Sequence, residues 1–149
     1  MFSSVARSFL FPALVIFLAL PWEPKSLPAV AAKTYGFCIR FRVFVKNGLS
    51  NNAMPLQFHC WSKDDDLGKH TLYTNQDFNF RFFDDFMGNS LFTCDMRWGD
   101  KHKKLDVYAP TVEGLSCCDT GNCYWRAQDD GIYFCNDDKS YLKRWDWEK

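Results

Sequence analysis

The residue types able to do chemistry crowd into one stretch, residues 60–70, "CWSKDDDLGKH", with His59 just before it. It holds a thiol, an imidazole and three consecutive carboxylates. Structural zinc takes four Cys or His ligands, usually supplied as spaced pairs. His59, Cys60 and His70, or Cys117, Cys118 and Cys123, could be grouped, yet no paired C-x2-C units occur at finger or ribbon spacing. Calcium loops alternate their acids so that the side chains converge on one ion. Asp64, Asp65 and Asp66 are consecutive and diverge, so a solvated loop is the simpler reading. The same holds for the pairs Asp84-Asp85, Asp129-Asp130 and Asp137-Asp138. Hydrolysis fares no better. "GLSCC" at 114–118 begins like a nucleophile elbow, then places Cys118 where glycine is needed. Carboxylate spacing selects no glycosidase-like pair. The expectation is a non-enzyme with no metal and no cofactor.

The elements that position these residues are read from period two. Phe37, Ile39, Phe41, Val43 and Val45 alternate with Arg40, Arg42 and Lys46. Leu56, Phe58 and Cys60 share a face, with Gln57, His59 and Trp61 opposite. Further sets are Phe78, Phe80 and Phe82; Phe92, Cys94, Met96 and Trp98; Leu105 and Val107; Cys123 and Trp125; Ile132 and Phe134. Such alternation marks half-buried strands. Turn signals punctuate them at Asn47-Gly48, Leu67-Gly68, Met87-Gly88, Trp98-Gly99, Thr120-Gly121 and Asp130-Gly131. The fold expected is all-β: a small disulfide-bonded antiparallel β-sandwich of about seven or eight strands. Lys101, His102, Lys103 and Lys104 read as a hairpin tip. Trp145 and Trp147 alternate with charges, as in a last strand with a tryptophan face.

Residues 1–32 read as a secretory signal: Arg7 is the positive region, residues 10–20 the apolar core, and "PAVAA" the small-residue cleavage site. Eleven apolar residues are too few to span a bilayer, which takes about 20. Cleavage after Ala32 leaves 33–149 as one domain. The chain carries 18 basic and 18 acidic residues; removing Arg7, Lys25 and Glu23 leaves 16 and 17. A near-neutral domain has no global field to hold nucleic acid or an anionic membrane. A secreted, extracellular monomer without membrane insertion is expected. No Asn-x-Ser/Thr occurs, so no N-glycan is expected.

Seven cysteines, at 38, 60, 94, 117, 118, 123 and 135, then read as a bridge set. Cys60 and Cys94 both face inward and suit a buried cross-sheet bridge. Cys118 and Cys123 flank a tight turn and suit a short-loop bridge. Cys38 and Cys135 fall on outward phases and can pair if the first and late strands are neighbours. Cys117 is left over, and the choice between it and Cys118 stays open because neighbouring strand residues face opposite ways.

The motifs "HCWSKDDDLGKHTL", "FNFRF", "SLFTCDMRW", "LDVY" and "CYWRAQDDGIY", in this order, closely resemble the plant self-incompatibility protein family, the S-protein homologues. The resemblance implies a small secreted β-sandwich. Its founding members are stigma-secreted ligands recognised by a pollen surface receptor, so the partner implied is a cell-surface receptor protein. By position, Cys60, Cys94, Cys118 and Cys123 match the family's usual cysteines, while Cys38, Cys117 and Cys135 are additional. Specificity is then expected in polar loops: Lys63, Asp64, Asp65 and Asp66; Asp84 and Asp85; Lys101, His102, Lys103 and Lys104; Asp129 and Asp130. The rival reading is an apoplastic carbohydrate-binding or defence module that uses exposed tryptophans such as Trp61 or Trp145.

Overall fold

Among the described residues the alternation is realised as nine strands in two packed sheets. The computed structural model describes residues 38–84 and 89–149. The expected signal segment 1–32, together with Asp85 and the Met87-Gly88 turn, lies outside the described residues. In chain order the strands are β1 (Arg40–Asn47), β2 (Leu56–Trp61), β3 (Asp66–Leu72), β4 (Asp77–Phe83), β5 (Phe92–Trp98), β6 (Lys101–Tyr108), β7 (Asn122–Gln128), β8 (Gly131–Cys135) and β9 (Leu142–Trp145). One sheet runs β4-β1-β7-β8-β9 and the other β3-β2-β5-β6. All pairings are antiparallel except β1 with β7, a parallel pair at the heart of the larger sheet.

The core is where the apolar phases of the two sheets meet. Phe41, Val43 and Val45 of β1 and Trp125 of β7 are buried against Leu56, Phe58, Met96 and Val107 of the smaller sheet. Trp125 packs tilted against Phe134, with centroids 4.8 Å apart, and its indole N–H donates to Val107 C=O at 2.8 Å. That single bond ties the two sheets through the core and satisfies the polar end of a buried ring. Toward the β4 edge the filling is aromatic: Phe82 lies 4.6 Å from both Phe92 and Tyr108.

Two findings extend the strand reading. β3 has a weak alternation because it is an edge strand whose positions are mostly half-exposed. Leu67-Gly68, expected as a turn, lies inside it. Gly68, at φ 82°, forms part of an irregularity where the β2–β3 register shifts between His59 and Trp61. The turn itself is 62–65, closed by Ser62 N–H donating to Asp65 C=O at 2.7 Å. Likewise Lys101, His102, Lys103 and Lys104 are not a hairpin tip but the first half of β6. The tip is the Gly99-Asp100 pair between Trp98 and Lys101, with Gly99 at φ 60°.

The disulfides are Cys60–Cys94, Cys38–Cys118 and Cys117–Cys123. Cys60 and Cys94 face each other on adjacent strands of one sheet, so this bridge does not cross between sheets. The expected Cys118–Cys123 and Cys38–Cys135 pairs do not form. A helical segment, Pro110–Gly114 followed by one turn at Leu115–Cys117, precedes β7. Within a helical turn neighbouring side chains diverge by about 100°, not the 180° of a strand. Cys117 therefore enters the core beside Cys123, and Cys118 meets Cys38 ahead of β1. Cys135 is a free thiol. It lies on the outer side of β8, opposite Tyr124, yet is only 5% exposed because it contacts Asp137, Asp138 and Tyr141 of the following turn. Burial pushes its pKa up.

Asn47, 2% exposed, locks the end of β1 to the β3–β4 connection. Its side-chain amide donates to Leu72 C=O at 2.7 Å and its carbonyl accepts Leu49 N–H at 2.9 Å. Asn47→Ala leaves both buried backbone groups without partners. The expected loss is about 2 to 4 kcal/mol, read as a lower urea midpoint at unchanged m-value. A loss below 0.5 kcal/mol would show that water replaces the amide.

The last described residues close one side of the sandwich. β9 edges the larger sheet, and the chain then crosses to the smaller one, where Glu148 exchanges two backbone hydrogen bonds with His102 of β6 at 2.8 and 2.9 Å. Trp145 and Trp147 do not share a face. Trp145 is 47% exposed, while Trp147 packs near Trp98 and donates its indole N–H to Gln128 C=O.

Candidate functional site

The outward phase of β2 brings Gln57, His59 and Trp61 to the surface, and strand pairing surrounds them. Asp95 of β5 and Lys69 of β3 lie opposite His59. The register shift beside Gly68 draws Asp66 back toward the same histidine: His59 Nε2 and Asp66 Oδ1 are 2.6 Å apart. Asp66 Oδ1 also accepts Gly68 N–H at 2.8 Å. The His59 bond first, then the Gly68 amide, holds the Asp66 carboxyl below its ordinary pKa. Trp61 stands between His59, with centroids 5.1 Å apart, and the Lys104 ammonium, 5.2 Å from the indole. Two depressions of about 470 and 550 Å3 meet at His59.

This places the expected contact residues in separate groups. Lys63, Asp64 and Asp65 form the 62–65 turn, Asp66 opens β3, and all join Lys104 around Trp61. Lys101 belongs to the opposite end of β6. Its ammonium lies over Trp98 at 4.4 Å and donates to Asp129 C=O at 3.2 Å, so Lys101 and Asp129 form a second group. Asp129 accepts Ser50 N–H and is held below its ordinary pKa by bonds from Ser50; Asp130 is held down by the Tyr133 hydroxyl. His102 and Lys103 are engaged by Glu148. Asp84 is committed internally: it accepts the Tyr108 hydroxyl at 2.9 Å and Ser90 N–H at 3.2 Å. Burial and this carboxylate together push the Tyr108 hydroxyl pKa up.

Outward alternation on β2 was the signal for His59 and Trp61 as members of one surface. The long reach to Asp66 depends on a bulge that no composition signal announces. Chemically the face offers donors, acceptors, both charges and an aromatic plane. Ser62 Oγ, the nearest hydroxyl in sequence, accepts Asp65 N–H at 3.0 Å and stabilises the turn. Among the described residues no group of three or more His, Cys, Asp and Glu is placed to hold a metal ion.

The His59–Asp66 contact predicts a pH signature. A carboxyl whose pKa is depressed by folding contributes stability above its unfolded pKa, and loses it as pH falls through the folded value. The Asp66 contribution is therefore complete near neutrality and vanishes only in acid, below the ordinary aspartate range of about 4. Carboxyl-carbon NMR titration should show Asp66 titrating below the ordinary aspartate range. In His59→Gln its midpoint should rise part of the way, the Gly68 amide keeping the remainder. An unchanged midpoint in that variant would assign the shift to the backbone alone.

Comparison with known proteins places this surface in context. The family model for plant self-incompatibility protein S1 matches residues 42–147. The chain is 32% identical to S-protein homolog 2 of Arabidopsis thaliana over 89% of its own length and 80% of that protein. It is 34% identical to self-incompatibility protein S1 of Papaver rhoeas, over 68% of this chain and 73% of that one. A solved structure of an SPH protein, from a family described as small, highly stable, secreted plant proteins, shares the fold. Its TM-score is 0.60 at 23% identity, covering 76% of this chain and 98% of that one.

Proposed function

Because this chain belongs to the plant self-incompatibility protein S1 family, a family of small secreted proteins, we propose that it acts outside the cell as a ligand read by a cell-surface receptor. The observation that carries this reading is the surface around Trp61. It is polar, bears both charges, and sits on strands held by the Cys60–Cys94 bridge directly beneath it. A rigid scaffold presenting polar groups lowers the ordering cost of association. Rim charges of this kind set partner choice and on-rate more than raw affinity.

Labelled purified protein should bind the surface of responsive plant cells saturably. Lys63→Glu with Lys104→Glu should weaken that binding at least tenfold while leaving the melting temperature unchanged. Unchanged binding by a folded variant would remove these loops from the contact. The second reading, sugar binding, draws support from Trp145 exposed at 47% beside Lys103. It predicts a glycan-array signal lost in Trp145→Ala. Within either reading the protein is a non-catalytic monomer.

A further inference from the structure

On the opposite side of the sandwich, the outer face of the larger sheet carries a group of cations that the fold does not neutralise. β1 and β4 pair with Arg42 directly opposite Arg81, and Arg40 opposite Phe83. Directly opposed residues have Cβ atoms about 4.5 to 5.5 Å apart, and like charges there destabilise a sheet. Lys46, two rows along the same face, takes Asp138 at 2.7 Å. None of the ion pairs among the described residues uses Arg40, Arg42 or Arg81. What the first two contact is aromatic: Arg40 lies 5.4 Å from the Phe83 ring centroid and Arg42 5.6 Å from that of Phe44. Phe83 is itself 68% exposed. The result is three guanidinium groups and an exposed ring at one margin of a sheet, on a chain whose overall charge is zero.

We propose that this β1–β4 margin docks an extended acidic peptide segment, with alternate carboxylates meeting Arg40, Arg42 and Arg81 and an apolar residue covering Phe83. Two features favour this occupant. Arg40 and Arg42 are two residues apart on one strand, and same-face residues in any extended chain repeat at about 6.8 Å. An extended peptide with acids at every second position therefore stays in step with them. Guanidinium forks also match carboxylates bidentately, and the rings beside Arg40 and Arg42 limit the freedom those two lose on binding. The inference rests on the ligand reading above and supplies the chemistry of the receptor segment.

The test uses isotopically labelled, disulfide-bonded protein and three probes: a synthetic peptide with glutamate at alternate positions, a peptide of identical composition with its glutamates in one block, and polygalacturonate. The alternating peptide should shift β1 and β4 amides and bind at least tenfold tighter than the block peptide. Arg42→Glu with Arg81→Glu should lose at least tenfold. Arg42→Gln with Arg81→Gln should lose binding too but melt no lower than the parent, because the opposed charges are gone. Equal binding by the two peptides, tighter binding by polygalacturonate, shifts centred on Lys101 and Lys104, or a lower melting temperature in the glutamine variant would each overturn the proposal. Peptide binding is read separately from cell binding. Failure of the peptide to bind sinks this inference and spares the ligand reading; failure of the protein to bind cells sinks the ligand reading and, with it, the assignment of the docked peptide to a receptor.

Discussion

Trp125→Ala is expected to be the most damaging single change in the chain, at about 4 kcal/mol. Two effects combine. The ring is 1% exposed and packs near Phe134, so its removal opens a large cavity in the middle of the core. Truncating buried aromatics costs about 3 to 5 kcal/mol. The indole N–H also serves Val107 C=O, which is left inside the protein without a donor. Against a typical domain stability of about 5 to 15 kcal/mol, the oxidised protein should remain folded but with a sharply lower guanidinium midpoint. Trp125→Phe separates the two effects. It keeps most of the apolar volume and loses the donor, so it should cost about 1 to 3 kcal/mol. If Trp125→Phe costs as much as Trp125→Ala, the hydrogen bond rather than the ring is what joins the sheets.

A loss of comparable size is expected from the double change Cys38→Ala with Cys118→Ala. This bridge closes 80 residues of chain, against 34 for Cys60–Cys94 and 6 for Cys117–Cys123. In the chain-entropy model the three contribute about 4.5, 4 and 2 kcal/mol respectively. The ordering of the three double variants by melting temperature is thus fixed before measurement, with Cys117–Cys123 mildest. Peptide mapping of non-reduced protein should link Cys38 with Cys118 and Cys117 with Cys123. Cys135 should react with an alkylating reagent only once denaturant is added. A Cys118–Cys123 peptide would overturn the bridge assignment, and rapid native alkylation would show that the 136–141 turn does not cover the thiol.

The sequence made the sandwich legible wherever a strand has one wet and one dry face. β1 and β5 alternate almost without exception because each lies inside its sheet and packs one side on the core. β3 escaped notice for the opposite reason. At an edge its burial is shallow, and its glycine serves a register shift instead of a turn. The pairing of the adjacent cysteines is not legible from period two because a helical turn, not a strand, presents them. Cys135 obeyed its phase and faced outward, but burial there comes from a turn folding over the sheet, which periodicity does not encode. Among the contact residues, the cluster of Lys63, Asp64, Asp65 and Asp66 was legible as a polar loop. Its union with Lys104 needed the register of four strands, and Arg42 opposite Arg81 needed the pairing of β1 with β4.

The central parallel pair has a consequence for how the protein is made. A secreted chain enters its folding compartment amino end first. β1 can pair with β4 once residue 83 has arrived, but its other side has no strand to pair with until residues 122–128 follow. During that interval β1, whose Phe41, Val43 and Val45 belong to the core, presents an open edge, with the hazards an unpaired edge brings. Pairing so distant in sequence is also slow to find. Yield on export should therefore be set by the lifetime of this half-built sheet, not by the stability of the finished one. A variant that speeds the arrival or docking of β7 would be secreted better without being any harder to unfold.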